Sequence, residues 1–242
     1  MTAEMSKLTS VGFIPPPDFP LEEHNKVHSY LNKYKDTHKL QWSLFGLGWN
    51  GLAYRYRAAA EYDNEFTISI EKFGNSPPSE ERYNQGKALF GFFVNAVSVI
   101  DCFCFSAYCM ASILKPEKFP LSKSNELRLR TKGVASKFTD YFPKDNLTRK
   151  MDECLSADSY KQMNNIRIVL IHRGTPPRTF YEGGERSGMA TMPVNPEAPS
   201  NQWQFDFPVD EQTTTLFRKW LSNTLEGLID SANNFCVSQL GT

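Results

Sequence analysis

Apolar side chains recur at helical spacing along most of this chain, and the longest such stretch follows Pro77 and Pro78. It covers Ser79–Leu114 without an internal proline, and its apolar residues stand three or four positions apart. Glu80 and Glu81 suit the first turn of a helix there, because carboxylates are favoured at the positive end of the helix dipole. The pattern predicts one long helix with a buried face.

The later part of this stretch, residues 88–114, is apolar enough for a membrane span to be considered, since about 20 such residues cross a bilayer. Asn95 and Asp101 argue against a span, because polar and charged side chains are costly in lipid unless they are paired. The favoured interpretation is the buried central helix of a bundle, with no membrane partner. A protein that crosses the membrane once is the weakest alternative.

Shorter helical patterns lie on both sides of this segment. Residues 21–38 predict a surface helix after a proline-rich entry. The aromatic and glycine-rich stretch QWSLFGLGWNG leads into a second helix predicted at residues 52–62. The following TISIEKFGNSPPSE predicts an extended piece and a loop. Beyond the long helix, two short helices are predicted at residues 131–141 and 147–155.

The last third of the chain combines two helices with an irregular excursion between them. Ser156 is a suitable N-cap for a helix that runs to Arg173, where Gly174 and two prolines stop it. After a strand predicted at residues 203–207, Asp210 stands where it can cap a final helix. The buried face of that helix is predicted to hold Phe217, Leu221, Leu225, Leu228, Ala232 and Phe235.

Together these elements predict an all-α fold. We expect a helical bundle over residues 79–242, preceded by an N-terminal helical extension over residues 1–78. A small irregular or β excursion comes before the last helix. The apolar faces of residues 88–114 and 217–235 are expected to pack around the helix that ends near Arg173, because each buried Leu or Phe contributes about 1.5–3 kcal/mol.

Composition narrows the class of protein. The 242 residues are 40% hydrophobic and 22% charged, as in folded domains rather than disordered chains. The 5 cysteines are odd in number and lack CxxC spacing, which fits neither a disulfide framework nor a zinc site. Reduced thiols, and a first segment MTAEMSKLTS without the apolar core of a secretory signal, predict a cytoplasmic protein.

Charge is distributed unevenly along the chain although the net charge is zero. Residues 115–186 contain 15 Lys or Arg against 9 Asp or Glu, whereas the remaining segments contain 12 against 18. A positive middle third would attract phosphate groups. The alternative interpretation is a set of ordinary solvated helix faces.

Four histidines occur, and two of them show a spacing that metals use. His24 and His28 stand four residues apart, so on a helix they share a face. No cysteine or third histidine accompanies them and their neighbours are polar, so we expect both to be solvated. His38 ends a charged helix and gives no signal.

His172 differs, because it closes the apolar segment MNNIRIVLIHRG, in which Arg167 stands five residues earlier. A buried arginine is costly unless it is paired, and a neutral histidine needs hydrogen-bond partners. Both requirements are met if this face of the helix lines a polar cleft. Helical spacing places Asn165 and Ile168 on the side of His172, and Asn164 beside Arg167.

Arg167, four intervening residues and His172 resemble the Arg-x4-His signature of HEPN domains, which are helical bundles. The resemblance covers residues 167–174 in sequence and residues 79–240 in the order of elements. It implies a metal-independent endoribonuclease without a cofactor, in a defence or toxin–antitoxin system. It also implies a site shared by two chains, and therefore a homodimer. RNA would be the substrate, and an antitoxin or another protein a further partner.

The same resemblance assigns roles to individual residues. His172 would act as general acid or base on the ribose 2′-hydroxyl and the leaving oxygen, for which an imidazole pKa of about 6.5 is suited. Arg167 would hold the scissile phosphate and offset the charge that develops there. Residues expected to support the site or bind RNA are Asn164, Asn165, Arg173 and Asp101.

The residue after the arginine departs from the family pattern. Active members usually carry a polar residue at that position, and here it is Ile168. Asn165 would substitute for it, or the domain is a non-catalytic module for dimerisation and for binding RNA or protein. A third interpretation makes the segment a plain core helix or strand, in which Arg167 extends to solvent. Asp101, in the middle of the long helix, is expected to pair with Arg167.

Overall fold

The structure, a computed structural model, describes residues 8–9, 12–122, 129–172, 178–180, 187–190, 206–208, 210 and 212–240. Within these residues the chain forms seven helices, which confirms the predicted all-α class. The elements are α1 (Leu21–Asn32), α2 (Lys39–Phe73), α3 (Ser79–Leu114), α4 (Thr131–Tyr141), α5 (Asn146–Ser156), α6 (Asp158–His172), β1 (Arg178–Phe180), β2 (Ser187–Ala190), β3 (Asp206–Pro208) and α7 (Thr215–Leu240).

The three short strands precede α7 and form an antiparallel sheet in the order β1–β2–β3. Thr179 of β1 stands opposite Gly188 of β2, and Met189 of β2 stands opposite Phe207 of β3. The strand predicted at residues 203–207 overlaps β3 in its last two positions, and the rest of it lies outside the described residues.

The chain divides into two compact units. The first unit consists of Met1–Arg57, Ser98–Ala157 and Leu221–Thr242, and the second of Ala58–Val97 and Asp158–Trp220. Helices α2, α3 and α7 therefore contribute residues to both units. The boundary predicted between an extension and a bundle after residue 78 lies in the loop before α3, and it stays a prediction.

Helix α3 begins and ends at the predicted residues, Ser79 and Leu114. Its polar residue Asn95 is buried, and the side-chain amide donates a hydrogen bond to the backbone carbonyl of Gly91 at 2.7 Å. Among the described residues, α3 is the one helix long and apolar enough to cross a membrane, and 67% of its most apolar window is buried inside the protein. Burial of this extent is typical of a core helix.

Helix α2 corrects the prediction for the glycine-rich stretch. QWSLFGLGWNG, predicted as a lead-in to a helix at residues 52–62, is itself helical. Its large side chains share one face and are buried, with exposed fractions of 0–1%: Phe45, Trp49, Leu52 and Tyr56. Burying four such side chains outweighs the cost of about 1 kcal/mol for each glycine within a helix.

The end of α2 also differs from the prediction, because TISIEKF is helical rather than extended. Its β-branched residues favour strand, but Phe66 and Ile70, four positions apart, are both buried. Gly74 then ends the helix: it adopts a φ of +67°, and its N–H donates to the carbonyl of Ile70 at 2.8 Å. Burial and a glycine cap therefore override the local preference.

Two glycines allow close approach between α2 and α3, one in each unit. In the first unit, a Cβ on Gly48 would lie 2.5 Å from the Ser106 hydroxyl oxygen. In the second unit, a Cβ on Gly91 would lie 2.5 Å from the Tyr62 ring. At either distance a Cβ atom would clash unless the neighbouring side chain moved. The absence of a side chain at both glycines therefore allows the two helices to approach closely.

We expect Gly91→Ala to destabilise the protein by about 1–3 kcal/mol, because the new methyl group overpacks against Tyr62. Gly86→Ala is the matched control on the same helix, since nothing lies within 4 Å of its Cβ position. There the better helix propensity of alanine should add up to about 1 kcal/mol of stability. Urea denaturation of both variants checks the opposite signs, and equal signs would contradict the close-packing argument.

Several predicted boundaries move by a few residues. Helix α1 ends at Asn32 rather than residue 38, because its buried face ends at Leu31. Ser156 is the last residue of α5 and not the cap of α6. The Asp210 carboxylate accepts a hydrogen bond from the Gln212 N–H at 2.9 Å in the turn before α7, and α7 itself begins at Thr215. The predicted face of α7 is buried from Leu221 onward, and its members are Leu221, Leu225, Leu228, Ala232 and Phe235.

Candidate functional site

The segment with the candidate chemistry is a helix, α6, which excludes the strand interpretation. Its apolar side chains at helical spacing are buried: Tyr160, Met163, Ile166, Val169 and Leu170. The opposite side of the helix carries Lys161, which is exposed, and Asn165 and Ile168, which are half-exposed. The helix is thus anchored by one apolar face and presents the other side of the motif toward solvent.

Arg167 is half-exposed at the edge of this buried face. Its guanidinium group donates a hydrogen bond to the side-chain oxygen of Asn164 at 2.9 Å. The two residues stand three positions apart, so one turn of helix brings them together, as the spacing predicted. An amide oxygen accepts a hydrogen bond from the cation without neutralising it.

His172 is the last residue of α6, and Arg173 lies outside the described residues. Helix geometry separates the Cα atoms of Arg167 and His172 by about 7.5 Å along the axis and about 140° around it. Ile171, which directly precedes His172, is 47% exposed. The candidate pair therefore occupies the C-terminal turn and a half of the helix, next to an exposed apolar side chain.

Asp101, the predicted partner of Arg167, lies in the first unit, whereas Arg167 lies in the second. The Asp101 carboxylate is half-exposed and accepts a hydrogen bond from the Thr131 hydroxyl at 2.8 Å, which ties α3 to the start of α4. This bond was not foreseen from the sequence. The pairing of Asp101 with Arg167 stays a prediction.

A cavity of about 340 Å³ opens on the N-terminal part of α6 within the second unit. Ser159 and Gln162 line it from α6, and Phe217 and Leu216 line it from the start of α7. The turn before α7 completes the lining with Asp210, Gln212 and Thr213. An aromatic ring beside amide and hydroxyl groups can hold a planar polar ligand. The cavity involves the same helix as the candidate site.

The prediction that His24 and His28 are solvated is wrong for His24. Its ring is fully buried, stacks on the Trp49 ring at 4.8 Å between centroids, and its Nε2–H donates to the Trp49 carbonyl at 3.1 Å. The Trp49 Nε1–H donates in return to the His24 carbonyl at 3.0 Å. His28 is half-buried beside Trp42. His24 is thus a structural link between α1 and α2.

Burial lowers the pKa of His24 to about 4, so the ring is neutral in the folded protein at neutral pH. In the unfolded chain the pKa is about 6.5, so the unfolded state binds the proton first as the pH falls. Stability should therefore decrease between about pH 6.5 and 4, and the loss from this residue should reach about 2 kcal/mol at pH 5.

Chemical denaturation at several pH values between neutrality and pH 5 measures this loss. His24→Gln should remove the larger part of the pH dependence. His28→Gln should remove a smaller part, because burial lowers the pKa of His28 in the same direction. If His24→Gln retains the full pH dependence, the loss arises elsewhere in the protein.

The five cysteines are free, and four of them are buried. Burial raises the pKa of Cys154 and Cys236 to about 12, so these thiols are protonated and unreactive as nucleophiles. Among the described residues, no group of three or more His, Cys, Asp or Glu side chains is arranged to hold a metal ion.

Comparison with protein-family models, with curated proteins and with solved structures finds no match for this chain.

Proposed function

We propose that this chain is a metal-independent endoribonuclease of the HEPN type that cleaves RNA with Arg167 and His172. The observation that carries the proposal is the 2.9 Å hydrogen bond between Arg167 and Asn164, on a helix that ends at His172. It places a hydrogen-bonded cation at a half-exposed position beside the buried apolar face of the helix. Such a guanidinium group is suited to a phosphate, which it can bind through two parallel hydrogen bonds.

The reaction follows from the two side chains. His172 takes the proton of a ribose 2′-hydroxyl, whose oxygen attacks the adjacent phosphorus. The bond from phosphorus to the 5′-oxygen of the next nucleotide breaks, and the imidazolium gives the proton to that oxygen. The products are a 2′,3′-cyclic phosphate and a 5′-hydroxyl end. Arg167 offsets the charge that accumulates on the phosphate oxygens in the transition state. DNA lacks the attacking hydroxyl and is not cleaved.

Two copies of the chain suit this chemistry better than one. Because five positions separate Arg167 from His172, helix geometry places their Cα atoms about 140° apart around the axis of α6. Two copies of α6 across a twofold axis would supply an arginine and a histidine from facing helices to one phosphate. The exposed side chain of Ile171 and the half-exposed Ile168 favour burial of this surface against a partner.

The test is incubation of the purified chain with end-labelled single-stranded RNA in the presence of EDTA. We expect cleavage, with a cyclic phosphate on the upstream product and no cleavage of DNA of the same sequence. Cleavage that requires an added divalent ion, or products that end in a 5′-phosphate, would contradict the mechanism. The matched control is His172→Ala, purified in the same way to exclude a contaminating nuclease.

The second candidate is a non-catalytic HEPN-like module that dimerises and binds RNA or another protein. Ile168 directly after Arg167 favours it, because an aliphatic side chain there supplies no polar group to the site. This candidate predicts RNA or partner binding without any cut. Ile168→Asn distinguishes the two: it should raise cleavage if Ile168 limits a catalytic site, and should change nothing in a purely binding module.

Both candidates predict a homodimer through the surface of α6. Light scattering at micromolar concentration should give twice the mass of one chain, and Ile171→Glu should shift the mass to that of a monomer, because it places a charge in the contact. Leu47→Glu is a control at another exposed apolar side chain, on α2, and should leave the dimer intact. A strict monomer with full RNA cleavage would exclude the shared site.

A further inference from the structure

An aromatic cluster in the first unit is bordered by three lysines. Its centre is Phe119, which is fully buried. The Phe119 ring packs against the rings of Tyr108 at 5.2 Å, Phe138 at 5.5 Å and Tyr141 at 5.8 Å between centroids. Tyr141 is 36% exposed, so this residue lies at the border of the cluster.

Each lysine is positioned by this cluster. The ammonium group of Lys115 lies 4.5 Å from the Phe142 ring centroid and donates to the Tyr141 carbonyl at 3.2 Å. The ammonium group of Lys118 lies 5.7 Å from the Tyr141 ring centroid. The ammonium group of Lys137 lies 5.3 Å from the Tyr108 ring centroid and donates to the Lys118 carbonyl at 2.8 Å. We call Lys115, Lys118, Lys137 and Tyr141 the lysine–aromatic platform.

The two segments that carry the platform lysines have an excess of positive charge. Residues 115–118 and 131–144 contain five lysines and two carboxylates, an excess of three positive charges. The two carboxylates are Glu117 and Asp140, and within the described part of the chain no ion pair joins a platform lysine to a carboxylate. Burial raises the pKa of Tyr108, so its hydroxyl adds no negative charge.

We propose that the lysine–aromatic platform binds a single-stranded nucleic acid, with the lysines on phosphates and the partly exposed Tyr141 stacked on a base. Proteins that bind single strands combine cationic side chains, which contact the phosphate backbone, with aromatic side chains, on which any base can stack. The proposal does not rest on RNA cleavage, and it applies equally to a non-catalytic protein.

The structural contacts of the lysines leave capacity for this ligand. An ammonium group has three donors. Among the described contacts, Lys115 uses one of them on a carbonyl, and Lys118 makes only its ring contact. Lys115 has a structural role, because its hydrogen bond caps the last carbonyl of α4. This role does not extend to Lys118. Lys118 is therefore the position at which binding and folding can be separated.

Fluorescence anisotropy tests the proposal with labelled oligouridine of about twelve nucleotides, long enough to cover a platform of this kind. The full chain with His172→Ala serves as the parent, so that no RNA is cut during the measurement. Lys118→Glu and Lys118→Gln are compared with Lys33→Glu, a control whose lysine lies at the same distance, 5.7 Å, over the ring of Tyr30. Thermal melting checks that each variant is folded.

We expect Lys118→Glu to weaken binding by roughly tenfold or more and to lower the slope of log Kd against log salt by about 0.7, as for one lost phosphate contact. Tyr141→Ala should weaken binding by roughly tenfold, as for one lost stacked base, and Tyr141→Phe should not. Lys33→Glu should stay close to the parent. The proposal is overturned if Lys118→Glu binds as tightly as Lys33→Glu, or if the parent does not bind oligouridine.

Oligodeoxythymidine of the same length distinguishes the two sources of single strands. Equal affinity assigns the contacts to phosphates and bases, and tighter binding of oligouridine adds the 2′-hydroxyl. In both cases Lys118→Glu must reduce the affinity. A platform that binds normally in a protein that cuts no RNA would count against the proposed cleavage and not against the platform.

Discussion

Replacing His172 by alanine is expected to lower the rate of RNA cleavage by about 10²–10⁴-fold, because general acid–base catalysis by one side chain contributes that much. Arg167→Ala should cause a loss of similar size, since the charge on the transition state is then not offset. Arg167→Lys should recover only part, because an ammonium group cannot bind a phosphate through two parallel bonds. Single-turnover rates on labelled RNA in EDTA measure all three variants.

Asn164 supplies a graded test of the same site. It acts through Arg167, so Asn164→Ala should reduce cleavage less than Arg167→Ala. Asn164→Asp should reduce it further than Asn164→Ala, because a carboxylate beside the guanidinium competes with the phosphate. Lys161→Ala is the matched control on the same helix, because Lys161 is exposed and pairs with Asp158. Cleavage that persists undiminished in His172→Ala would place the activity at another site or in a contaminant.

Replacing Arg218 by methionine is expected to destabilise the protein by about 1–3 kcal/mol, because it removes the ion-pair partner of a nearly buried carboxylate. Arg218 donates to the Asp63 carboxylate at 3.2 Å, and the exposed fraction of the Asp63 side chain is only 7%. The Thr215 hydroxyl is the second donor to this carboxylate, at 3.1 Å. Without Arg218, the neutral hydroxyl of Thr215 is the one remaining donor to the nearly buried carboxylate of Asp63 among the described contacts.

Urea denaturation of single and double variants isolates this pair. Combining Asp63→Leu with Arg218→Met should recover part of the stability, since neither charge then remains buried. The exposed pair of Arg149 and Glu153 is the comparison, and Glu153→Ala should cost far less stability than Arg218→Met. Additive losses at Asp63 and Arg218 would show that the two charges do not stabilise each other.

Hydrophobic periodicity was sufficient to predict the elements whose apolar faces are continuous. Helix α3 and helix α4 have the predicted bounds, and α7 buries the predicted face from Leu221 onward. At the candidate site, spacing alone placed Asn164 beside Arg167, and the hydrogen bond between them follows from one turn of helix. These features are local, because they depend on residues three or four positions apart.

Features that depend on distant residues were not predictable in this way. The glycine-rich part of α2 is helical because Trp49 and its neighbours are buried and because Gly48 faces Ser106, which is 58 positions away in sequence. His24 has polar neighbours in sequence and is nevertheless buried, since its partner Trp49 belongs to another helix. Local polarity indicates solvent exposure only when no distant element covers the residue.

The sequence by itself therefore determined the helical class, the long core helix and the helical setting of Arg167 and His172, because each follows from a repeat read along one segment. Only the tertiary structure decided that Asp101 accepts a bond from Thr131 and that three lysines meet around Phe119. Those contacts join segments separated by loops. Burial and charge at such places are set by which elements pack together, and not by the residues adjacent in the chain.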